Sequence, residues 1–333
     1  MRSRCAALLA FFIATLPVSS ANSETSINVQ SQVISNLDLR DKNHTRFGEF
    51  NFVGGLVLRS NNPDFGGISA LHVTPDNKIT AISDSGFWFT AQLNRGENGH
   101  PFALSQSVIA PILNSNGEQF ENKWLADAEG MAVGKDKVYI SMEQNSRILW
   151  FPTSGDTLKQ PSQLLSGAGF TETLRTNFAL EAIATPSHDS NLPYDLVAIS
   201  EFSPNENGHA RAFFRQSGVW KEFQIPLVDR YLITDAAFTP SGELLILERR
   251  FSLATGARAR VRQLNPNDIS EGALVDGKVV LELNTDQQID NMEGISVFKT
   301  PAGKTKLALI SDNNQFPLQR TLYLEFEWSK IAN

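Results

Sequence analysis

Along most of the chain apolar residues recur at every second position, and no segment holds a 3.6-residue period long enough for a major helix. "KVYISME", "RILWFP", "ELLILE", "KLALIS" and "TLYLEFEW" alternate Val, Ile, Leu, Phe and Tyr with polar residues, which is the pattern of half-buried strands. Between strands, "TPDNK", "GKDK" and "TPSGE" supply Pro, Asp, Asn and Gly where a hairpin must reverse. The pattern predicts an all-β chain.

The strands come in a recurrent order. Each unit opens on small, often acidic residues, runs into an apolar strand, turns, and returns as a second apolar strand ending in an acid. The units begin "FGGISALHV" (65–73), "DAEGMAV" (127–133), "ALEAIAT" (179–185), "TDAAFTP" (234–240) and "NMEGISVF" (291–298). Outer strands follow in "FWFTAQL", "SVIAPIL", "RAFFRQS", "EFQIPL" and "VVLELN". The entrance residues Gly66, Glu129, Glu181, Asp235 and Glu293 are spaced by 63, 52, 54 and 58 positions. A period in the fifties with four strands per unit predicts a β-propeller of four-stranded blades. Five repeats are visible. A sixth, degenerate blade would draw on residues 27–52, which leaves five or six blades open. The last unit stops after its third strand, and "GGLVLRS" (54–60) resembles the fourth strands elsewhere, so an N-terminal strand is expected to close the ring. The organisation is then residues 1–21 as a leader, 22–45 as an N-terminal segment and 46–333 as the propeller domain.

This topology gives the acids a common address. Adjacent strands of a blade are antiparallel, so the start of the first strand and the end of the second lie at one edge of the sheet. Inner strands line the central axis. The entrance acids Asp127, Glu129, Glu181, Asp235, Asp290 and Glu293 are therefore expected at one channel mouth, with the exit acids Asp84, Glu143, Glu201, Glu248 and Asp312. So many carboxylates in a partly desolvated ring raise one another's pKa unless cations neutralise them. Calcium, which takes six to eight oxygen ligands in flexible geometry, suits such a set. The five histidines, His44, His72, His100, His188 and His209, lie outside these motifs, which disfavours zinc or copper. For any single acid the competing reading is a loop cap or an arginine partner. Gly67, Gly130 and Gly294 read as close backbone approaches near the crowded axis.

Basic residues flank the acids. Arg249 and Arg250 follow Glu248, while Arg147, Arg320 and Lys123 lie near Glu143, Asp312 and Asp127. A guanidinium fork suits phosphate or carboxylate oxygens. The competing reading is salt bridging to the ring itself. Trp88 and Trp150 read as packing. Trp124 and Phe251 read as packing too, with ligand contact from entrance or exit loops as the alternative.

Composition narrows the partners. The 333 residues carry 29 Lys+Arg against 36 Asp+Glu, with no lysine-rich tract, which speaks against nucleic acid. Arg2, Arg4, the apolar "CAALLAFFIATLPV" and the small Ser19 and Ala21 read as an export signal cleaved after Ala21, with a buried helix or uncleaved anchor as the alternative. A soluble periplasmic or secreted protein with no membrane span after cleavage is expected. Cys5, the only cysteine, lies within that signal, so disulfides and thiolate chemistry are not expected of the mature protein.

"DAEGMAVGKDKVYISMEQNSRILWF" resembles a stretch of the calcium-dependent alkaline β-propeller phytases, and "NMEGISVF" with "LALISDNNQ" resembles their second Glu-Gly unit. More closely, the region from about Arg46 to Trp328 resembles the phytase-like domain family named for "esterase-like activity of phytase". Its marks are "VGGLVLRSNNPDFGGISAL", "DAEGMAV", "TDAAFTPSGELLILERRFS", "DNMEGISV" and "SDNNQFPLQRTLYLEFE". The resemblance implies a propeller with calcium at the channel mouth and a metal-activated water attacking an ester. By position, Asp127, Glu129, Glu143 and Glu293 match the phytases' calcium-binding acids. The last unit departs from Asp-x-Glu-Gly, reading Asn291-Met292-Glu293 with Asp290 displaced by one. The phytases' early Asp-Asp-Pro-Ala motif and a lysine-rich phosphate cradle have no counterpart here.

The functional expectation is an exported calcium-dependent hydrolase of phosphate or carboxylic esters, acting on a small anionic substrate. Calcium is expected at Asp127, Glu129, Glu143, Glu181, Asp235, Asp290, Glu293, Asp84 and Asp312. Glu129, Glu293, Arg249 and Arg250 are the catalytic candidates, and Arg147, Arg320 and Lys123 the substrate contacts. A non-catalytic binding propeller with structural calcium and a lactonase-like propeller are the alternatives. The sequence contains no Gly-x-Ser-x-Gly elbow, no His-Glu-x-x-His and no Arg-His-Gly signature.

Overall fold

The computed structural model describes residues 24–168, 173–174, 180–187 and 190–329. The leader expected at 1–21 and His188 lie outside the described residues. The strands form five blades, each four-stranded at its core and antiparallel throughout. From the inside outward, blade 1 comprises Ile68–Val73, Lys78–Ser83, Phe87–Arg95 and Pro101–Pro111. Blade 2 comprises Ala128–Val133, Lys137–Met142, Arg147–Pro152 and Gln163–Leu164. Blade 3 is built from Leu180–Ala184, Leu196–Pro204, Ala210–Gln216 and Val219–Ile225, and blade 4 from Leu232–Phe238, Leu244–Ser252, Gly256–Leu264 and Gly277–Leu283. Blade 5 contributes Asn291–Lys299, Thr305–Asp312 and Thr321–Trp328, and its fourth strand is Phe50–Arg59.

That fourth strand closes the ring as the repeat count requires. Tyr323 pairs with Leu56 and Thr321 with Leu58. The open choice between five and six blades resolves to five. Residues 27–52 build no blade of their own, because Gln30–Ile34 and Arg46–Phe47 pair along Phe50–Arg59 at the outer edge of blade 5. Within the N-terminal segment, Thr25–Ser26 likewise joins a sheet, pairing with the outer strand of blade 1.

Each interface between neighbouring blades holds its own apolar core, because every sheet is buried on both faces. Trp88 and Ile82 of blade 1 meet Phe151 and Ile140 of blade 2. Similar clusters fill the interfaces of blades 2 and 3, 3 and 4, 4 and 5, and 5 and 1, the last through Leu56, Ile310 and Tyr323 against Ile68 and Phe89. Five such interfaces make the ring. The interface of blades 5 and 1 also carries a buried ionic clasp. Glu325, fully buried, accepts from Arg95 Nη1 and Nη2 at 2.9 Å each, and from Lys306 Nζ and Tyr323 Oη.

Between inner and second strands the turn chemistry repeats. In blades 1, 4 and 5 a threonine hydroxyl accepts the backbone N–H four residues on: Thr74 from Lys78, Thr239 from Glu243 and Thr300 from Lys304. The residue before the acceptor's partner is left-handed in each case, as Asn77, Gly242 and Gly303, which is why the sequence places Asn or Gly there. Among the described residues no helix is long and apolar enough to cross a membrane.

Candidate metal centre at the channel mouth

One irregularity, repeated five times, builds the mouth. In every blade the ladder between inner and second strands slips by one residue near the start of the inner strand. The unpaired residues are Ser69, Glu129, Glu181, Thr234 and Glu293. A bulge of this kind kinks the strand and re-aims one side chain. Three blades use it to present a glutamate. The other two present hydroxyls that tie down the next blade: Ser69 Oγ donates to the Ala128 carbonyl at 2.6 Å, and Thr234 Oγ1 to the Met292 carbonyl at 3.3 Å. Each accepting carbonyl belongs to the residue just before a ring glutamate.

A second ring lies on the second strands, one step beyond the residue paired just before each bulge. It consists of Asp84, Glu143, Glu201, Arg249 and Asp312. Four positions are acidic and one is a guanidinium.

Close packing of neighbouring inner strands explains the glycines that follow two of the glutamates. A Cβ on Gly130 would lie 2.4 Å from the Glu181 carbonyl oxygen, and one on Gly294 would lie 3.0 Å from Leu71 N. Gly67 sits at φ +59°, where a Cβ would strike the Asp84 carboxylate.

Two acids expected at the mouth are placed elsewhere, because each stands one residue off its strand's ring position in blade 4. Asp235 lies one position past the bulge. Its Oδ1 accepts from Ala236 N and its Oδ2 from Ile295 N of blade 5, both at 2.8 Å, so it is a buried staple between blades. Glu248 lies one position before the exit ring. It is fully buried inside blade 4, where Arg260 Nε and Arg262 Nε and Nη2 donate to its two oxygens. Arg249 takes the ring position in its place. Asp290 also stands off the ring, bonded to the backbone N–H of Arg320 at 3.1 Å and ion-paired with Arg320 Nε at 3.5 Å.

The remaining acids converge. Ligand oxygens of Asp127, Glu129 and Glu143 lie within 4.8 Å of one another. Asp127 is held at the end of the short helix Lys123–Ala126, which Asn122 caps by accepting from Leu125 N. Arg147 braces this loop from below, donating to the carbonyls of Gln144 and Leu125. These bonds make Arg147 a support of the site loops and not an open anion receptor. Gln144 Nε2 donates to Glu143 Oε2 at 3.0 Å and to Asp127 Oδ2 at 3.3 Å. On the opposite side, Arg249 pairs with Glu201 Oε1 at 3.0 Å and Glu293 Oε1 at 2.9 Å. Asn291 Nδ2 also donates to Glu293 Oε1 at 2.6 Å. Lys123 Nζ reaches Asp84 Oδ2 at 2.6 Å, so this expected substrate contact is engaged with the ring, and Arg320 with Asp290 and the Ile289 carbonyl.

The electrostatics register the crowding. Burial, then hydrogen bonding to Asp127, pushes the Glu143 carboxyl up to about 8. Burial raises Glu293 to about 8 against the pull of Arg249, and Asp312 to about 6. Glu129 and Glu181 are raised well above the usual carboxylate range by burial and by the neighbouring acids. Metal-free, this mouth holds protons because it cannot hold that much negative charge. All-oxygen donors at this spacing fit a hard cation such as Ca²⁺ and offer nothing to a thiophilic metal. Asp127, Glu129 and Glu143 are the residues that would hold it.

Sequence reasoning missed the ring positions of Ser69 and Thr234 and the parts played by Gln144 and Asn291. An alignment centred on the buried residue before each bulge (Ile68, Ala128, Leu180, Ile233, Met292) brings Ser69 and Thr234 into line with the glutamates.

Fold and mouth together define a five-bladed propeller with an acidic, oxygen-donor cluster at one end of its channel. The family model described as phytase-like, "Esterase-like activity of phytase", matches residues 63–315, and the chain belongs to that family. No curated protein matches the chain significantly. Solved structures of similar shape include the calcium-binding protein regucalcin from Agrobacterium tumefaciens, 12% identical over 89% of this chain and 95% of that one, at a TM-score of 0.41. Another is the PQQ-bound aldose sugar dehydrogenase of Streptomyces coelicolor, 11% identical over 91% of this chain and 99% of that one, at 0.40. At such low scores neither likeness bears on what this chain binds or does.

Proposed function

We propose that this protein is a calcium-dependent hydrolase of phosphate or carboxylic esters, working at the propeller mouth. The convergence of Asp127, Glu129 and Glu143 within 4.8 Å carries the reading, in a chain whose family is described by esterase-like activity. Bound calcium would polarise the ester oxygen and make a nearby water more acidic. Asp127, Glu129 and Glu143 hold the ion, with Gln144 orienting two of them. Glu181 and Asp312 flank that set as further oxygen donors. Glu293, whose carboxyl burial raises to about 8, takes the proton of the attacking water and passes it to the leaving group. Arg249 fixes Glu293 and, through Nη1, which bonds to no described residue, stabilises negative charge developing on the substrate. Arg250 receives the substrate's anionic part. The protein is read as exported, on the strength of its leader.

The test is release of phosphate from phytate and simple monoesters, and of p-nitrophenol from p-nitrophenyl esters, with calcium and with EDTA. Calcium-dependent turnover is expected with at least one class. Stabilisation by calcium with no turnover on any of them favours a binding propeller instead.

A further inference from the structure

Beyond Arg249, blade 4 carries cations that stand outside the two rings of the mouth. Arg250 and Arg258 stand directly opposite each other on its second and third strands. Like charges so placed repel unless something answers them. Arg250 makes one hydrogen bond, from Nη1 to the Asp229 carbonyl at 3.0 Å. The Arg258 side chain makes no hydrogen bond or ion pair with any described residue, and its buried Nε has no hydrogen-bond partner. Both line a pocket of about 570 Å³ whose lining also includes Arg249 and Asn291, the two residues that hold Glu293. The inner end of the pocket is therefore the mouth itself. Asp290, the only acid in the lining, is already paired with Arg320. The outer wall is apolar and open to solvent, with Phe251, Phe316 and Leu318 exposed at 68%, 52% and 82%. Large apolar side chains gathered on one exposed wall mark a contact surface.

We infer that this pocket is the subsite for phosphate monoesters carrying an aryl or alkyl group. Arg250 and Arg258 bind the dianionic phosphate, whose charge answers their opposed guanidiniums. Phe251, Phe316 and Leu318 cover the apolar group. Arg249 lines the same pocket and pairs with Glu201 and Glu293, so the pocket adjoins the acidic ring. The proposal rests on the hydrolase reading for the reaction, but binding at the pocket does not require the ion.

Calorimetric titration of the full-length protein in EDTA with phenyl phosphate, inorganic phosphate and benzyl alcohol tests it. Phenyl phosphate is expected to bind at least tenfold tighter than either of the others. Arg258→Gln is expected to weaken phenyl phosphate tenfold or more, and Phe316→Ala to remove its advantage over inorganic phosphate without weakening the latter. An unchanged melting temperature checks that each variant is folded. Equal affinity in wild type and Arg258→Gln, benzyl alcohol binding as tightly as phenyl phosphate, or binding seen only when calcium is added overturns the subsite. Binding in EDTA without phosphate release in calcium leaves the subsite standing and overturns the hydrolase reading.

Discussion

Glu293 Oε1 lies 2.9 Å from Arg249 Nε, so the one exit-ring position without a carboxylate carries the cation that holds the next blade's glutamate. Blade 4 thus neutralises its side of the mouth with its own side chain, while blade 2 gathers three carboxylates with no arginine among them. The asymmetry leaves the uncompensated negative charge on blade 2.

Glu129→Gln separates ligand from scaffold. It is expected to lower calcium affinity by more than about tenfold, because a direct ligand matters at least as much as an outer-shell partner. In EDTA the same variant should melt higher than wild type, since one of the mutually repelling acids is gone. Titration calorimetry and thermal melts read both signs, and a variant that still binds calcium fully removes Glu129 from the ligand set.

The raised carboxyls make the metal-free protein pH-sensitive in a defined direction. Glu143 and Glu293 move from an ordinary 4.5 to about 8, and Asp312 from 3.8 to about 6. A group whose folded pKa is raised stabilises the fold fully below its unfolded value and loses that contribution as pH climbs through the folded one. The EDTA-treated protein is therefore expected to lose melting temperature between pH 5 and about 8, and the increment from calcium to grow over the same range. A flat profile in EDTA contradicts the crowding.

Asp235→Asn distinguishes a staple from a ligand. An amide cannot accept from both Ala236 N and Ile295 N, so one buried N–H is left without its acceptor, at a cost of roughly 1–3 kcal/mol. Calcium affinity is expected to be unchanged, and a weakened isotherm would return Asp235 to the site.

Removing the clasp between blades 5 and 1 tests ring closure without touching the mouth. Glu325→Gln leaves Arg95 and Lys306 buried without their counter-charge, which costs about 3–5 kcal/mol. Urea unfolding should show that loss, while calcium affinity per folded molecule stays constant.

The repeat, the closing strand and the face that collects the acids were all legible in the sequence, because alternation and turn chemistry are local. The bulge was not. It moves side-chain direction by one residue without changing composition, so Asp235 reads as a ring acid although Thr234 holds the bulge, while Glu248 stands one place before the exit ring. In "ILERRF" nothing local says that Glu248 turns inward to Arg260 and Arg262 while Arg249 faces the mouth. Their partners lie 12 and 14 residues away on another strand. The pocket was half legible. Arg250 and Phe251 were visible as candidates, but Arg258 joins them only through strand register.

The pairing of Phe50–Arg59 with Thr321–Trp328 joins stretches more than 260 positions apart. Contacts of such sequence separation form late, because the loop they close must be ordered first. Every blade contributes to the two rings of the mouth, so the mouth reaches its final shape only when the last strand finds the first. A nascent chain still on the ribosome would hold the blade 2 acids without the neighbouring blades that crowd them. Glu129 meets the charge of Glu181 and Glu293 in full only once the circle has shut.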